Sequence, residues 1–341
     1  TIKYIKQNYD ELKDKVDILI CIYHSGFEYD LDSHKKLSNT KENIAYKVCS
    51  ELQFDLLLTG HQHIEISNID LHGTHIVQTP HNGSKFIELN LEFDNNKVQN
   101  VTSKLVNVAL NPNKNIYDKF LPLEDKVQEW LDTPVGFLDT KLQPTYHLDM
   151  ALNGSPLANF INQIQLCESN ADISCTSFAN VIKGFDKNIT VRDIMSTYPY
   201  PNTLVVFEVN RKYLKLALER CASYFDYNNG NITISDRFLK PKVEHYNYDY
   251  FSNINYTFDI TKEVGDRVTS IVYNGKELDD NTTLNLVMNN YRASGAGGYE
   301  FYTECKTVQE ILMEMPDIII DYFKNNKNVT VDKSKYLTVI S

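Results

Sequence analysis

The sequence predicts an α/β protein built from two domains. Short apolar runs rich in β-branched residues, at 16–23 and 54–59, alternate with helical patterns, which is typical of buried parallel strands. Each run ends in polar residues, as in α/β units whose chemistry lies at the carboxyl ends of strands. A break at 111–113 and a helical stretch over 119–131 precede a second α/β region that begins near residue 136. A chain of 341 residues is long enough for two domains.

The first region repeats this alternation of strands and helices. Helical patterns cover 3–15 and 41–52, and a turn at 72–74 follows the second strand. Further strands are predicted around 75–79, 85–93 and 99–108. Because parallel strands end at the same edge of a sheet, we expect the two polar tips to lie together there.

The second region carries a clear helix-start signal. Ser155 and Pro156 suit the N-cap and the first helical position, so a helix is predicted over 157–166. Other helices are predicted to start near 190 and to cover 211–225 and 306–324. Strands are predicted at 171–174, 204–209, 255–260, 267–273 and 284–289. The sequence shows no internal repeat.

Composition favours a folded protein and still allows small anionic ligands. Hydrophobic residues make up 42% of the chain and charged residues 23%, which excludes disorder as its main state. The 34 Lys and Arg residues against 45 Asp and Glu residues give a net charge of −11, so we expect neither a nucleic-acid partner nor an anionic membrane partner. No apolar run reaches the roughly 18 residues that span a bilayer. Phosphate ligands are compatible with this charge, because a metal ion or backbone N–H groups can hold them.

The six cysteines are expected to be buried thiols. They lie far apart and form no Cys-x-x-Cys pair, so a zinc knuckle or a disulfide framework is not expected. Unpaired cysteines favour a reducing compartment. The positions are Cys21, Cys49, Cys167, Cys175, Cys221 and Cys305.

Three histidines directly follow the two predicted strands of the first region. His24 ends the first strand, and His61 and His63 follow the second. Neutral imidazoles are good ligands for Zn²⁺, Mn²⁺ or Fe, and the backbone after Gly60 can turn both rings of the pair to one side. Polar loop histidines are the alternative. The remaining histidines have no such neighbours and are interpreted as ordinary: His34, His72, His75, His81, His147 and His245.

These motifs resemble those of a known family. Tyr23-His24-Ser25-Gly26 and Thr59-Gly60-His61-Gln62-His63 are similar to the last two motifs of calcineurin-like metallophosphoesterases. Glu42-Asn43 and the helix that follows fit the bifunctional nucleotidase branch of that family. The resemblance implies a site for two divalent metal ions, Zn, Mn, Fe or Mg, with ligands His24, His61 and His63.

A second pair of segments is rich in aromatic residues and glycine. The segment 198–204 reads Tyr-Pro-Tyr-Pro-Asn-Thr-Leu, and the segment 289–299 reads Asn-Asn-Tyr-Arg-Ala-Ser-Gly-Ala-Gly-Gly-Tyr. Facing aromatic rings can hold a nucleobase by stacking, and a glycine turn lets the backbone approach a ligand. Taken alone, these signals are weak, because aromatic residues beside proline are usually packing residues.

Together the two segments resemble the 5′-nucleotidase C-terminal domain, in the subgroup of 2′,3′-cyclic-nucleotide 2′-phosphodiesterase/3′-nucleotidases. The stretches 171–178, 246–249 and 259–268 support that subgroup. In the family, two aromatic residues sandwich the base. The residues that the resemblance assigns to the substrate site are Tyr200, Asn202, Tyr291, Arg292, Ser294, Gly295 and Gly297.

The resemblance covers nearly the whole chain but departs from the family in two ways. Ala296 replaces a usual Gly. The family motifs Asp-x-His, Gly-Asp and Gly-Asn-His-(Glu/Asp), which include the catalytic His, do not occur before His24, so no catalytic residue is assigned in this chain. We therefore expect 1–110 to be the C-terminal half of a metallophosphoesterase sandwich domain, 111–135 a linker helix, and 136–341 an α/β substrate-binding domain.

The expected function is metal-dependent hydrolysis of nucleotides by a longer, monomeric enzyme of which this chain is a part. Its expected partner is a nucleotide or nucleoside substrate. Two alternatives stay open: a 5′-nucleotidase or nucleotide-sugar hydrolase, and a catalytically silent nucleotide-binding protein. The resemblance implies export to a periplasm or cell wall, whereas cysteine usage favours the cytoplasm.

Overall fold

The computed structural model describes residues 1–37, 43–109, 111–240, 242–326 and 328–341. The chain divides into two units, Thr1–Lys119 and Phe120–Ser341. The helix that crosses this division, α3, spans Lys114–Leu131 and contains Pro122. It begins five residues before the helix that the sequence predicted at 119.

The first unit contains a four-stranded sheet in the order β1-β2-β4-β3. Strands β1, β2 and β4 are parallel, and β3 pairs antiparallel with β4. A separate two-stranded hairpin is formed by β5 and β6. The elements are α1 (Ile2–Leu12), β1 (Ile20–Tyr23), α2 (Ala45–Glu51), β2 (Leu56–Thr59), β3 (Ile66–Leu71), β4 (Thr74–Gln78), β5 (Lys85–Asp94) and β6 (Lys97–Asn107).

The predicted parallel pairing of the first two strands is confirmed, but the predicted burial of the first strand is wrong. Ile20 is 44% exposed and Ile22 is 80% exposed, and both lie on the same face of β1. Cys21 and Tyr23, on the opposite face, pack against the core. By contrast, Leu56 and Leu57 of β2 are buried between the flanking strands. The helix predicted over 41–52 is described from Ala45, and its first two predicted residues, Lys41 and Glu42, lie outside the described residues.

The second unit is built around a five-stranded sheet in the order β13-β8-β17-β10-β18. Strands β8 and β17 are parallel, and the other pairs are antiparallel. Smaller sheets have the orders β16-β15-β14-β20, β19-β7-β9 and β11-β12. The strands are β7 (Pro134–Leu138), β8 (Ile173–Thr176), β9 (Asn188–Thr190), β10 (Leu204–Asn210), β11 (Phe225–Asn228), β12 (Asn231–Ile234), β13 (Tyr250–Ser252), β14 (Asn255–Asp259), β15 (Val268–Tyr273), β16 (Lys276–Glu277), β17 (Thr283–Asn289), β18 (Lys306–Ile311), β19 (Asn328–Val329) and β20 (Leu337–Ile340).

Buried apolar residues from both the helices and the sheets of the second unit form one core cluster. The predicted cap of α5 is confirmed, because the Ser155 side chain accepts a hydrogen bond from the Ala158 N–H and Pro156 opens the helix. The helices are α4 (His147–Asn153), α5 (Pro156–Ser169), α6 (Val191–Thr197), α7 (Arg211–Ala222), α8 (Asn290–Ala293) and α9 (Met315–Asn325). Short 3₁₀ turns lie at Asp236–Phe238, His245–Asn247 and Glu300–Glu304.

Two sequence predictions for this unit are corrected. The last helix was predicted over 306–324, but Lys306–Ile311 forms β18 and the helix begins at Met315. Pairing with β10 stabilises the extended conformation of this segment. All six cysteines are free thiols, but the predicted burial holds only for Cys49, Cys175 and Cys221. Cys21 and Cys305 are half-buried, and Cys167 is exposed. Within the described parts of the chain, no helix is long and apolar enough to cross a membrane.

Candidate functional site

The ends of β1 and β2 are held side by side by their parallel pairing. Tyr23 and Thr59 are register partners, so the residues that follow them in each strand lie next to each other. The N–H of Gly60 donates a hydrogen bond to the Ser25 carbonyl oxygen at 3.2 Å. A Cβ atom at position 60 would lie 3.1 Å from Nδ1 of His24, so glycine gives the imidazole room beside the second strand end. The register thus brings the two histidine motifs together.

Gln62 joins the two loops further. Its side-chain carbonyl accepts a hydrogen bond from the Phe27 N–H at 2.8 Å, and its amide NH₂ donates to the Phe27 carbonyl oxygen at 3.0 Å. A side chain at Gly26 would overlap that of Gln62. On the other side of the loop, the Asn43 side-chain oxygen accepts from the Gly26 N–H at 2.8 Å. The backbone that carries the first histidine is therefore fixed from both sides.

The imidazoles form two close pairs. The ring centroids of His24 and His61 lie 5.6 Å apart, with the planes at 73°. His63 lies instead against His81, with centroids 5.1 Å apart. His81 was interpreted as an ordinary histidine without company, which is wrong. His61 and His63 both have a left-handed backbone, with φ of 72° and 58°. This conformation sets the direction in which each ring leaves the loop.

The donor set fits a divalent metal ion only in part. Two neighbouring imidazoles are suitable ligands for zinc, manganese or iron. In the described ranges, however, no group of three or more His, Cys, Asp or Glu side chains is arranged to hold a metal ion. Ligation by His24, His61 and His63 therefore stays a prediction, and the pair of His24 and His61 is the part of it that the geometry supports.

In the second unit, the antiparallel pairing of β10 and β17 brings the two aromatic segments to the same end of these neighbouring strands. Leu204 is the register partner of Asn289. The N–H of Asn290 donates to the Thr203 carbonyl oxygen at 2.9 Å. Tyr200 precedes β10 and Tyr291 follows β17, so both lie beside this pair of strand ends. We call Tyr200 and Tyr291 the tyrosine clamp.

The two clamp tyrosines are partly exposed, whereas Tyr198, two positions before Tyr200, is buried. Tyr200 is 43% exposed and Tyr291 is 36% exposed, while Tyr198 is 5% exposed. Burial raises the pKa of the Tyr198 hydroxyl, although the side chains of Asn202 and Asn289 beside it act in the opposite direction. The Asn202 carbonyl oxygen accepts from the Met315 N–H at 2.8 Å. Asn202 thus ties the clamp loop to helix α9.

Arg292 lies beneath the loop and is only 1% exposed. Its guanidinium donates to both carboxylate oxygens of Asp249, at 2.8 and 3.0 Å. Further donors reach the carbonyl oxygens of Ala296 at 2.5 Å and Tyr246 at 2.9 Å. Asp249 holds the pKa of Arg292 above its usual range, against the effect of burial. The guanidinium therefore joins the 246–249 segment to the loop that carries Tyr291 and Ala296.

The glycines of the 292–298 loop allow this close approach. Gly295 and Gly297 have φ of 85° and 78°, in the left-handed region that glycine adopts without strain. A Cβ at Gly297 would overlap the side-chain amide of Asn247 and the guanidinium. The Ser294 hydroxyl donates to the Tyr291 carbonyl oxygen at 2.7 Å, which closes the turn after the clamp residue.

Sequence reasoning missed Tyr246 as a site residue. Its ring packs edge-on against Tyr291, with centroids 6.3 Å apart and planes at 71°. The motif that contains it, 246–249, was noted as a family feature, and its aromatic first position was the available signal. The same motif supplies Asp249, the partner of Arg292.

Comparison with known proteins identifies relatives of both units. Residues 134–304 match the family model described as the 5′-nucleotidase C-terminal domain. A trifunctional nucleotide phosphoesterase protein of Bacillus subtilis is 20% identical over 92% of this chain and 24% of its own length. A 2′,3′-cyclic-nucleotide 2′-phosphodiesterase/3′-nucleotidase of Salmonella typhimurium is 23% identical over 84% of this chain and 52% of its own.

A solved structure resembles the chain over its full length. A Staphylococcus aureus protein assigned as a 5′-nucleotidase, in complex with alpha-ketoglutarate, is 30% identical and has a TM-score of 0.89. The match covers 100% of this chain and 68% of that protein. The chain thus spans about a quarter of the Bacillus relative, about half of the Salmonella relative and about two thirds of this solved relative.

Proposed function

We propose, for a chain that belongs to the 5′-nucleotidase family, that its second unit binds nucleotides by their base and that the whole protein hydrolyses their phosphate esters. The proposed reaction is that of a metal-dependent 2′,3′-cyclic-nucleotide 2′-phosphodiesterase/3′-nucleotidase, the activity by which the Salmonella relative is named. The observation that carries the proposal is the register of β10 and β17, because Tyr200 and Tyr291 lie in the loops at the same end of these paired strands.

Stacking between two phenol rings suits a base of any identity. Both tyrosines are partly exposed, and base–aromatic stacking contributes roughly 1–3 kcal/mol per base. Asn202 is proposed to add a hydrogen bond to the edge of the base. The backbone of Ser294, Gly295 and Gly297 is proposed to line the base site. We expect broad base acceptance, because stacking does not read the hydrogen-bonding edge of the base.

For Arg292 we propose a positioning role rather than direct contact with the nucleotide. Its side chain is buried, and Asp249, Ala296 and Tyr246 take its hydrogen bonds. The guanidinium holds the glycine loop against the segment that carries Tyr246. This fixes the ring of Tyr291 before any ligand arrives, which reduces the entropy lost on binding.

In the first unit, we propose His24, His61 and His63 as ligands of divalent metal ions. Bound divalent ions polarise a phosphoryl oxygen and make a bound water nucleophilic near neutral pH. The chain's own part is to hold His24 and His61 5.6 Å apart through the backbone that Gln62 and Asn43 fix.

The assignment of 1–110, 111–135 and 136–341 to a partial metallophosphoesterase domain, a linker and a substrate-binding domain is part of the proposal. A 5′-nucleotidase or nucleotide-sugar hydrolase would share this fold and the base clamp, and would differ in where the phosphate lies. For the 341-residue chain alone, we propose nucleotide binding without turnover. Monomeric state and export are further proposals for the whole protein.

Isothermal titration of the chain with adenosine, 3′-AMP and ribose 5-phosphate tests the proposal. If the base is the recognised group, adenosine and 3′-AMP bind with affinities within about tenfold of each other, and ribose 5-phosphate does not bind. Binding of ribose 5-phosphate as tight as that of 3′-AMP would show that phosphate is recognised instead, and would contradict the proposal.

A further inference from the structure

We propose that the first unit carries a second chemical centre, a Ser-His-Asp array in which Ser103 is a nucleophile toward small carboxylic esters. The inference goes beyond the proposed nucleotide hydrolysis and uses none of its residues. It rests on hydrogen bonds that join Asp70 of β3, His75 of β4 and Ser103 of β6. All three strands belong to the first unit.

The three side chains form a continuous series of hydrogen bonds. Nδ1 of His75 lies 2.8 Å from a carboxylate oxygen of Asp70, and Nε2 of the same ring lies 2.8 Å from the hydroxyl oxygen of Ser103. Both distances fall within the roughly 2.6–3.2 Å that join a nucleophile, its base and the group that orients the base. Such triads are recognised by geometry and roles rather than by sequence position, and they recur on unrelated folds.

The partners of the imidazole determine where its proton lies. A carboxylate only accepts hydrogen bonds, so the Nδ1–H of His75 donates to Asp70. In the neutral ring Nε2 is then an acceptor, and the hydroxyl of Ser103 donates to it. This is the tautomer in which a histidine can take the proton of a serine hydroxyl as a general base.

Strand pairing builds the array from distant parts of the chain. Asp70 and His75 are register partners in the antiparallel pair of β3 and β4, which sets their side chains next to each other. The His75 side chain is buried between these strands and β6, and the residue is only 4% exposed. The sequence interpretation of His75 as an ordinary histidine missed these partners, because Ser103 follows 28 positions later in the chain.

A bulge in β3 directs a backbone donor at the same hydroxyl. The register of β3 and β4 shifts between Ile66 and Ile69, and Asn68 within this interval has a left-handed φ of 55°. Its N–H donates to the Ser103 hydroxyl oxygen at 2.6 Å. Bulges and unusual backbone conformations are common next to active sites. An N–H in this place can donate to the oxygen that becomes negative when the hydroxyl attacks a carbonyl carbon.

The exposure of the array favours a small acyl group. The Asp70 side chain is 72% exposed, so the array begins at the surface. Ser103 is 8% exposed, which leaves its hydroxyl just below the surface. We therefore expect an acetyl ester to react faster than an ester of a longer carboxylic acid.

The proposed reaction proceeds in two steps. The Ser103 Oγ forms a bond to the acyl carbon while its proton passes to Nε2 of His75, and the bond to the leaving oxygen breaks as this proton passes to the leaving alcohol. Water then attacks the acyl-serine, His75 takes and returns a proton again, and the carboxylic acid leaves with the hydroxyl restored. Asp70 holds the imidazole in the required tautomer and stabilises its charge.

Labelling with a fluorophosphonate probe and hydrolysis of p-nitrophenyl acetate test the array on the 341-residue chain with excess chelator. We expect mass spectrometry to find the probe on Ser103, and Ser103→Ala to lose both the label and the hydrolysis. Asp70→Asn should slow both by about 100-fold or more, because general-base catalysis contributes roughly 10²–10⁴-fold. Ser50→Ala and Asp94→Asn, at exposed positions of the same unit, are the matched controls and should change neither rate.

The outcomes separate a reactive array from hydrogen bonds that only join β6 to β3. A structural network leaves the hydroxyl unreactive, so absence of the label from Ser103 in the folded chain would overturn the proposal. Equal labelling rates in the unaltered chain and in Asp70→Asn would overturn it as well. Circular dichroism shows whether Ser103→Ala folds; if it does not, Asp70→Asn still decides, because that side chain is largely exposed.

Discussion

The backbone N–H of Asn290 donates a hydrogen bond to the carbonyl oxygen of Thr203 at 2.9 Å. This bond lies just beyond the last register pair of β10 and β17, so it extends the ladder into the two loops that carry Tyr200 and Tyr291. Tyr200 and Tyr291, which are 91 positions apart in the chain, are thereby held at the same end of the two paired strands. The position of the clamp is thus set by strand register, and the orientation of its loop by the buried Arg292.

Replacing Arg292 by alanine should destabilise the second unit strongly. The change leaves the carboxylate of Asp249, which is 2% exposed, buried without its cation, and breaking such a pair lowers the free energy of unfolding by about 3–5 kcal/mol. Urea denaturation measures this loss. Arg211→Ala is the matched control, since Arg211 and Asp280 form an exposed pair at 3.5 Å that is worth about 0–1 kcal/mol. Equal losses in the two variants would contradict the role given to Arg292.

Metal binding should depend on His24 and His61 together. Each contributes one of two imidazoles whose centroids lie 5.6 Å apart, so alanine at either position removes a direct ligand. We expect affinity for Zn²⁺ to fall by more than the roughly 10–100-fold that loss of an outer-shell partner causes. Calorimetric titration of the chain with Zn²⁺ measures it, with His34→Ala as the control histidine variant. Unchanged Zn²⁺ affinity in both His24→Ala and His61→Ala would show that the pair is not a metal site.

The chain alone should hydrolyse 2′,3′-cyclic AMP or 3′-AMP poorly or not at all, even with added Mn²⁺ or Zn²⁺. Two divalent ions a few ångströms apart repel strongly, and neutral imidazoles do not offset that repulsion without a bridging carboxylate. A longer protein that carries the Asp-x-His and Gly-Asn-His motifs should turn over the same substrates. Phosphate release by both proteins decides the matter, and robust turnover by a clean sample of the chain would contradict the expectation.

Acid should weaken the second unit partly through His245. Its pKa in the folded protein is lowered to about 4, against 6.5 for an unperturbed histidine, so the unfolded chain binds more protons between these values. Stability should therefore fall as pH drops from about 6.5 towards 4, and His245→Gln should reduce that fall. Melting temperatures of both proteins across this range measure the difference. Parallel pH profiles of the two would refute this contribution.

The parts of the fold that were predictable follow from short-range patterns. The apolar runs before His24 and His61 predicted parallel strands, and parallel strands necessarily bring their polar ends to one edge. The Ser155-Pro156 start of α5 was likewise readable, because a cap depends only on neighbouring residues.

The parts that were not predictable depend on distant partners. The exposure of Ile22 depends on which face of β1 the rest of the fold covers, and no local pattern encodes that. Residues 306–311 form a strand because β10 pairs with them, although the stretch was assigned to the last helix. The burial of Arg292 depends on Asp249, 43 positions earlier in the chain, so a motif alone placed it among residues that contact substrate.

Adenosine titration of Tyr200→Ala and Tyr291→Ala tests the central claim most directly. If the two rings hold the base between them, each variant should bind adenosine about ten- to a hundred-fold more weakly, a loss of roughly 1–3 kcal/mol. Tyr200→Phe and Tyr291→Phe should bind nearly as tightly as the unaltered chain, because the ring and not the hydroxyl stacks. Unchanged affinity in both alanine variants would contradict the account.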